Sequence, residues 1–379
     1  MHKEYKNTPE QGIPQSGFSK LPRGIARSRC RCKPGCPIQL METTTKKVAY
    51  SILELAIVAK GITIDQTLKN SIGLAQKAED MGYRRLWLAE HHNMAHVASV
   101  ATPILIGLIA ANTQTIRVGS GGIMLPNHAP LIVAEQFGTL GRLYPNRIDL
   151  GLGRAPGTDQ LTAQAIRRDR MQSVHNFGGE IAQIQQYFSK DNEWAQVRAV
   201  VAEGVDVPLY ILGSSLDSAH LAAKMGLPYA FASHFATGLL LEALDIYRKE
   251  FQPSAYLDKP YTMAGVNVIA ADTDEEAERN FTSVIRMFLG ILTGKREPLQ
   301  PPMEMTDELM MIQHNPAVRD MLKYSFVGRK EAVAKQLDKF LKDTGVDELM
   351  VVSNLHGHED RIHSYQILSE IIKERNASV

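Results

Sequence analysis

Apolar and polar positions along this chain form a regular succession of strand-like and helix-like segments that begins near residue 47. Short apolar runs predict buried strands at 47–59, 84–90, 115–125, 147–153, 207–213, 228–233, 264–271 and 346–354. Helical periodicity predicts helices between them, most clearly at 65–83, 97–113, 130–143, 175–188 and 359–374. The chain therefore alternates strands with helices along almost its whole length.

Eight strands that alternate with helices indicate parallel pairing through helical crossovers. The pattern predicts an α/β fold, a (β/α)8 TIM barrel with its active groups on the loops that follow the strands. A doubly wound open sheet is the structural alternative. Residues 292–316 break the rhythm between strands 7 and 8 and predict a helical insertion there. This insertion is either a lid over the barrel mouth or a surface excursion without function.

Residues 1–46 lack periodicity and are rich in Pro, Gly, Arg and Lys, so we predict a disordered basic N-terminal extension before a barrel domain at 47–379. Within residues 1–40, eight Lys and Arg face two Asp and Glu. This composition is compatible with a transit peptide. An upstream extension of the reading frame, with Met41 as the natural start, is the other interpretation. We expect a chain that begins at Met41 to fold and bind its ligand.

The overall composition narrows the class of protein. Of 379 residues, 44% are hydrophobic and 22% are charged, which is typical of soluble globular chains. The net charge is +1 and the barrel region is mildly acidic, which gives no electrostatic case for a nucleic-acid partner. All three cysteines lie in the extension, at Cys30, Cys32 and Cys36, without a fourth ligand for a metal. A cysteine-free barrel suits the reducing cytoplasm, where we expect the protein.

The longest uncharged stretch, residues 97–116, raises the question of a membrane segment. Its apolar part is about 11 residues long, which is too short to span a bilayer. We therefore expect a buried helix here and no membrane partner.

The second predicted strand ends in Glu90, His91 and His92. Imidazoles at the catalytic face of a barrel can transfer protons near neutral pH. The alternative is that these side chains cap the strand and hold the loop by hydrogen bonds.

The third predicted strand ends at Gly121 and Gly122. Adjacent glycines at a strand end indicate an unusual backbone course or the close approach of a flat group. A tight barrel corner is the alternative. The spacing matches neither a Walker loop nor a dinucleotide fingerprint.

Two neighbouring strand ends carry groups that suit an anion. Arg154 follows the fourth strand, and Ser214, Ser215 and Ser218 lie where the fifth strand passes into a helix. Arginine binds phosphate well, and a helix N-terminus offers free N–H groups and the positive end of its dipole. An ordinary serine N-cap is the alternative. Together these groups favour a phosphate site.

Four stretches carry a more specific resemblance: "LWLAEHHNMAH", "GSGGIMLPNHAPLIVAEQFGTLGRLYPNRIDLGLGRAPG", "YILGSSLDSAHLAAKMGLPYAFAS" and "DELMVVSN". In this order they resemble the bacterial luciferase-like family of flavin-dependent monooxygenases, and most closely its short single-chain members. The resemblance runs from about residue 48 to 372. It implies a barrel that binds reduced FMN and uses O2 to oxidise a small organic substrate.

The resemblance also assigns roles to residues. His91 matches the catalytic base and His92 the imidazole that supports it. Glu90 matches a residue beside the flavin, and Gly121–Gly122 matches a cis peptide against the isoalloxazine ring. The phosphate positions are matched by Arg154, Ser214, Ser215 and Ser218.

The resemblance further implies that a separate flavin reductase supplies the reduced FMN. A homodimer is compatible with it, and no metal is expected. Two departures stand out, because Ser214 replaces a glutamate of luciferase and Gly153 replaces a cysteine. A deazaflavin-dependent hydride transfer on the same fold, or a flavin-binding protein without turnover, remains open as an alternative.

Overall fold

Parallel strands form a closed barrel in the computed structural model, which describes residues 46–167 and 169–379. The strands of these residues are β1 Ala49–Glu54, β2 Arg85–Leu88, β3 Arg117–Met124, β4 Ile148–Gly153, β5 Leu209–Gly213, β6 Tyr229–Phe231, β7 Thr262–Ala270, β8 Ser325–Gly328 and β9 Glu348–Val352. Neighbours pair in chain order from β1 to β7, and β9 pairs with both β7 and β1. The predicted TIM barrel is confirmed, since this last strand closes the circle that an open sheet would leave unpaired.

Helices follow the strands and cover the outside of the barrel. They are α1 Ile64–Asp80, α2 Thr102–Ala111, α3 Pro130–Leu143, α4 Gln160–Ile166, α5 Arg170–His175, α6 Phe177–Phe188, α7 Leu216–Met225, α8 Leu240–Glu250, α9 Asp274–Thr293, α10 Asp307–His314, α11 Pro316–Leu322, α12 Lys330–Thr344 and α13 His358–Ala377. Two 3-10 turns occur at Leu125–Asn127 and Lys190–Trp194.

The insertion between β7 and β9 contains more structure than the sequence pattern predicts. It includes helices α10 and α11, as expected, and also the short strand β8. The first half of β7 pairs with β9, while its second half, from Asn267 to Ala270, pairs with β8. Strand β8 therefore extends the sheet beside the barrel without entering the barrel circle.

A buried ionic network fills the amino-terminal end of the barrel. The Arg85 guanidinium lies 2.7 Å from an Asp149 oxygen and 2.9 Å from a Glu348 oxygen, and the Trp87 indole donates to Asp149 over 3.0 Å. Buried charges are stable only when they are paired in this way. An apolar layer lies beside the network, formed by Leu53, Trp87, Ala89, Tyr210, Ala230, Met263, Met350 and Val352. A ligand is therefore expected at the carboxyl ends of the strands, where barrels of this kind carry their active groups.

Helix α2 differs from its prediction as a buried helix. Ile106 and Ile109 pack into the core, but Ile104 is 72% exposed and Leu108 is exposed as well. The predicted helix is therefore buried on the face that packs on the barrel, while its outer face is apolar and exposed. Among the described helices, none combines the length and the apolar character needed to cross a membrane. The predicted extension at 1–46 lies outside the described residues, apart from Lys46.

Candidate active site at the carboxyl end of the barrel

Glu90 lies in the loop after β2 and is buried among hydrogen-bond donors. One carboxylate oxygen lies 2.8 Å from His92 Nε2 and 2.9 Å from His128 Nε2. The other accepts the backbone N–H of Met124 over 2.9 Å, and the Asn127 amide donates to Glu90 over 3.2 Å. The carboxylate therefore links the loops that follow β2 and β3.

These donors fix the charge of Glu90. Burial alone would raise its pKa, but hydrogen bonds from His128, His92 and the Met124 amide lower the pKa to about 2. Glu90 is thus ionised at neutral pH, and both of its carboxylate oxygens already accept hydrogen bonds from the protein. The geometry supports a loop-ordering role for this residue, and its expected position beside the flavin stays a prediction.

His91 is held through its backbone and has a free ring nitrogen. Its N–H donates to the Ser99 carbonyl over 3.1 Å, while Nδ1 is buried and has no hydrogen-bond partner among the described residues. Burial lowers the pKa of His91 to about 4; Glu90 opposes this shift and the positive charge of Arg296 adds to it. A neutral imidazole with a free nitrogen can exchange a proton with a bound molecule.

His92 is fixed in place by three bonds. Its ring bonds Glu90, its backbone N–H donates to the Gly157 carbonyl over 3.1 Å, and the Thr158 hydroxyl donates to its carbonyl over 2.8 Å. This geometry suits the supporting role that the sequence suggested for His92 beside His91.

His234, which the sequence analysis did not select, is a second imidazole with a free nitrogen, and it is partly buried. It follows β6, and its Nδ1 has no hydrogen-bond partner among the described residues. A Cβ atom added to Gly265 would lie 2.4 Å from that nitrogen, so the ring fills the space of the missing side chain. Gly265 lies two residues after Met263 of the interior layer and shares its inward face. Burial lowers the pKa of His234 to about 4, and nearby His91 contributes.

The Gly121–Gly122 peptide is cis, as the family resemblance implied. An added Cβ atom would lie 2.7 Å from Leu53 at Gly121 and 2.7 Å from the Gly151 carbonyl oxygen at Gly122. The protein's own packing therefore requires glycine at both positions. The close approach of a flavin to this peptide stays a prediction.

Arg154 and the start of α7 lie side by side at the ends of β4 and β5. Arg154 is half exposed, and its Nη2 lies 3.4 Å from an oxygen of Asp217 in the first turn of α7. Ser214 and Ser215 precede the helix, and neither hydroxyl makes a hydrogen bond within residues 46–167 and 169–379. The first N–H groups of a helix also lack partners within it. A guanidinium, two hydroxyls and a positive helix end can thus bind an anion together.

Ser218 has a different environment from the other two serines. Its hydroxyl donates to the Ser215 carbonyl over 2.6 Å and lies 2.9 Å from the Tyr229 hydroxyl. The side chain also occupies the space over Gly213, where an added Cβ would lie 2.2 Å from its oxygen. Ser218 therefore supports the start of α7 from the inside, and a direct contact with phosphate stays a prediction.

A chain of polar contacts joins the loop after β2 to the anion site. The Asn127 amide bonds Glu90, its oxygen accepts from Arg170 Nε over 3.1 Å, and Arg170 Nη2 donates to the Arg154 carbonyl over 3.1 Å. His128, Asn127 and Arg170 were missed in the sequence because they follow the strand ends by several residues. Only the folded loops bring them together.

In the part of the chain that the structure describes, no group of three or more His, Cys, Asp or Glu side chains is arranged to hold a metal ion. The site instead combines a place for an anion with buried neutral imidazoles. This combination supports binding of a phosphorylated organic molecule and proton transfer beside it.

Comparison with known proteins identifies the family. The luciferase-like monooxygenase family model matches residues 50–348. The chain belongs to the luciferase-like monooxygenase family. A luciferase-like monooxygenase of Escherichia coli strain K12 is 46% identical over 331 residues, which cover 87% of this chain and 99% of the relative. The N-acetyl-S-alkylcysteine monooxygenase of Bacillus subtilis strain 168 is 31% identical over 339 residues, covering 86% and 98%.

Solved structures share the barrel fold of this chain. The crystal structure of apo-MsnO8 matches with a TM-score of 0.78 and 36% identity, covering 86% of this chain and 98% of that one. More distant likenesses concern the fold alone. The oxygenating constituent of 3,6-diketocamphane monooxygenase from Pseudomonas putida, in complex with FMN, matches with a TM-score of 0.64 and 15% identity. An F420-dependent secondary alcohol dehydrogenase matches with a TM-score of 0.62 and 15% identity.

Proposed function

We propose that the protein is an FMN-dependent monooxygenase that oxidises a small organic substrate with O2. Reduced FMN would come from a separate flavin reductase. The observation that carries this proposal is that Arg154 and the start of α7, the candidate anion site, lie at the same end of the barrel as the unpartnered ring nitrogen of His91. A relative that acts as an N-acetyl-S-alkylcysteine monooxygenase and a structural neighbour in complex with FMN support it.

The residues at the mouth fit FMN by their chemistry. Arg154, Ser214, Ser215 and the first N–H groups of α7 would hold the phosphate, since cations and free donors are the partners a phosphate needs. The unpartnered buried nitrogen of His91 is the kind of group that a bound molecule normally satisfies. Reduced FMN, when bound, supplies the electrons that activate O2.

The side chains of this protein would transfer protons and hold the active-site loop in position. Because burial keeps His91 neutral at pH 7, its ring can accept a proton from the substrate or pass one on. Glu90, with His92 and His128 bonded to it, would keep the loop that carries His91 in one conformation.

The quaternary state and location are part of the proposal. The outer faces of α2 and α3 expose apolar side chains that a second copy of the chain would cover, so we propose a homodimer. The cysteine-free barrel leads us to place the protein in the cytoplasm.

An anaerobic titration followed by exposure to air tests the cofactor and the reaction. The dissociation constants of reduced FMN and reduced F420 would be measured first, and O2 uptake would then be followed with an N-acetyl-S-alkylcysteine as the initial substrate. We expect tight FMN binding and O2 uptake that depends on added substrate. Preference for F420 with hydride transfer in the absence of O2 would replace the proposal with the dehydrogenase alternative. FMN binding without any substrate-dependent product over a broad panel would indicate a flavin carrier.

A further inference from the structure

A cavity of about 210 Å³ lies between the loop after β2 and the segment that follows α9. Two backbone hydrogen bonds of 2.9 Å hold the segment after α9 to the loop after β1, from Leu299 N–H to the Val58 carbonyl and from Lys60 N–H to the Leu299 carbonyl. The Val58 N–H in turn donates to the His96 carbonyl over 2.9 Å, which joins that loop to the loop after β2. The insertion thus closes against the barrel at this point.

The polar part of the cavity is positively charged. Arg286, Lys295 and Arg296 line it, and Glu297 is its one acidic residue. Among the described residues, no carboxylate lies within ion-pair distance of Arg296, whose Nη1 lies instead 3.5 Å from the Met94 sulfur. An arginine without an acidic partner is available to bind an anion.

A buried histidine provides the second, independent observation. His96 lines the same cavity and is only 8% exposed, and its Nδ1 has no hydrogen-bond partner among the described residues. Buried polar atoms are almost always satisfied by protein, water or ligand. A neutral imidazole can carry its proton on Nδ1 and donate it to an anion beside Arg296.

Much of the remaining lining is apolar, which indicates that the part of the ligand away from its anionic end is apolar as well. Met287, Leu289, Ile291 and Leu299 contribute side chains or backbone to the wall. The cavity also adjoins the loop that carries His91, since His96 of that loop lines it and Arg296 Nη1 lies 3.5 Å from the Met94 sulfur in the same loop. A molecule bound here would extend from a basic end to an apolar surface beside this loop.

We infer that this cavity is the subsite for an anionic end of the substrate, and that the substrate is a small organic acid with an apolar chain. The inference rests on the proposed function, because it treats the cavity as part of a substrate site. The carboxylate would lie against Arg296 and His96, and the chain would lie along the apolar wall.

Binding of simple probes to the flavin-free protein tests this assignment directly. The affinities of hexanoate and hexan-1-ol would be measured by titration calorimetry on the wild type and on Arg296→Ala, Arg296→Lys and His96→Phe. We expect hexanoate to bind better than hexan-1-ol, and Arg296→Ala to weaken hexanoate about tenfold or more, as loss of a charge-assisted hydrogen bond does. Arg296→Lys should retain part of the preference, and His96→Phe should weaken hexanoate because the donor Nδ1 is lost. The affinity for hexan-1-ol should respond to neither change of Arg296.

Arg279→Ala is the matched control, because Arg279 is an exposed arginine of α9 that pairs with Glu304 away from the cavity. It should leave both affinities unchanged. Equal binding of the acid and the alcohol, no detectable hexanoate binding, or equal losses in Arg279→Ala and Arg296→Ala would each overturn the inference. Since no flavin is present, these results are independent of whether FMN binding and O2 uptake bear out the proposed function.

Discussion

Glu90 carries a negative charge although it is only 1% exposed, and four donors surround it. Removing such a charge leaves its donors unsatisfied, and this is more costly than losing a bond on the surface. The effect should therefore be seen first in stability. It should reach catalysis through the position of His91, the next residue in the chain.

Glu90→Gln should destabilise the protein near neutral pH, and the difference from wild type should shrink in acid. The pKa of Glu90 falls from its usual 4.5 to about 2 on folding, so the carboxylate contributes stability above pH 4.5 and loses it as the pH falls toward 2. A shift of this size corresponds to on the order of 3 kcal/mol. Urea unfolding at several pH values measures it, with exposed Glu304→Gln as the control. A constant difference across that range would argue against the assignment.

His91→Ala and His92→Ala should have different effects. His91 has a free ring nitrogen, so its loss should leave folding and FMN affinity nearly unchanged while substrate oxidation falls by about 10²–10⁴-fold. His92 bonds Glu90, so its loss should lower the melting temperature as well as the rate. To separate a catalytic from a structural role, we would measure the melting temperature, the FMN affinity and the substrate-dependent O2 uptake of both variants. If His91→Ala lost activity only in proportion to its unfolded fraction, the residue would be structural.

At the scale of elements, the start of α7 and the end of β4 should dominate FMN affinity. Arg154→Ala removes a charge-assisted bond to phosphate and should weaken FMN about ten- to a hundredfold, with a much smaller effect on riboflavin. Asp217→Asn should act in the opposite direction, because its carboxylate lies 3.4 Å from Arg154 and would repel a phosphate. Fluorescence titration with both ligands measures the change. Equal losses of FMN and riboflavin in Arg154→Ala would place the phosphate elsewhere.

The barrel strands could be predicted because each is a run of buried residues followed by a helical period. Strand β8, Ser325–Gly328, was missed since four residues of mixed burial lie between two helices and give no period of their own. Its conformation depends on the free edge of the second half of β7. That edge is open because β6 pairs with β7 only as far as Ala264.

Candidate site residues could be selected from the sequence where a polar residue lies within three positions of a strand end, as at His91 and Arg154. The same rule would have selected His234, which follows the three-residue strand β6. The inward position of its ring could not be predicted, because that position depends on the absent side chain of Gly265. Likewise, no spacing in the sequence shows that His128 shares the carboxylate of Glu90.

At the scale of the whole molecule, the ionic network around Arg85 fills the amino-terminal end of the barrel. The candidate active site lies at the opposite, carboxyl end. The polar contacts from Glu90 through Asn127 and Arg170 to the carbonyl of Arg154 then join separate loops. Substitutions in two of these loops should therefore have non-additive effects on the free energy of unfolding, because neighbours in one hydrogen-bond network are not energetically independent.

Exposed apolar side chains on the outer surface of the barrel predict that two copies of the chain associate. Ile104 and Leu108 on α2, with Ile132 and Leu143 on neighbouring α3, are exposed apolar side chains that water solvates poorly. A second copy that covers them would bury apolar area on both chains, and a two-fold pair of identical faces is the simplest way to do so. We expect the wild type to sediment with twice the mass of one chain.

Ile104→Lys combined with Ile132→Lys should produce a monomer, because each chain would place two new charges at the centre of the contact. Sedimentation equilibrium measures the mass, and circular dichroism with FMN titration checks that the barrel remains intact. Met311→Lys is the control, since Met311 is 76% exposed on α10 in the insertion and not on α2 or α3. A wild type that stays monomeric at micromolar concentration, or a Lys pair that remains dimeric, would mean that these faces serve another purpose. If the monomer keeps full FMN affinity, each barrel forms its cofactor site from its own residues.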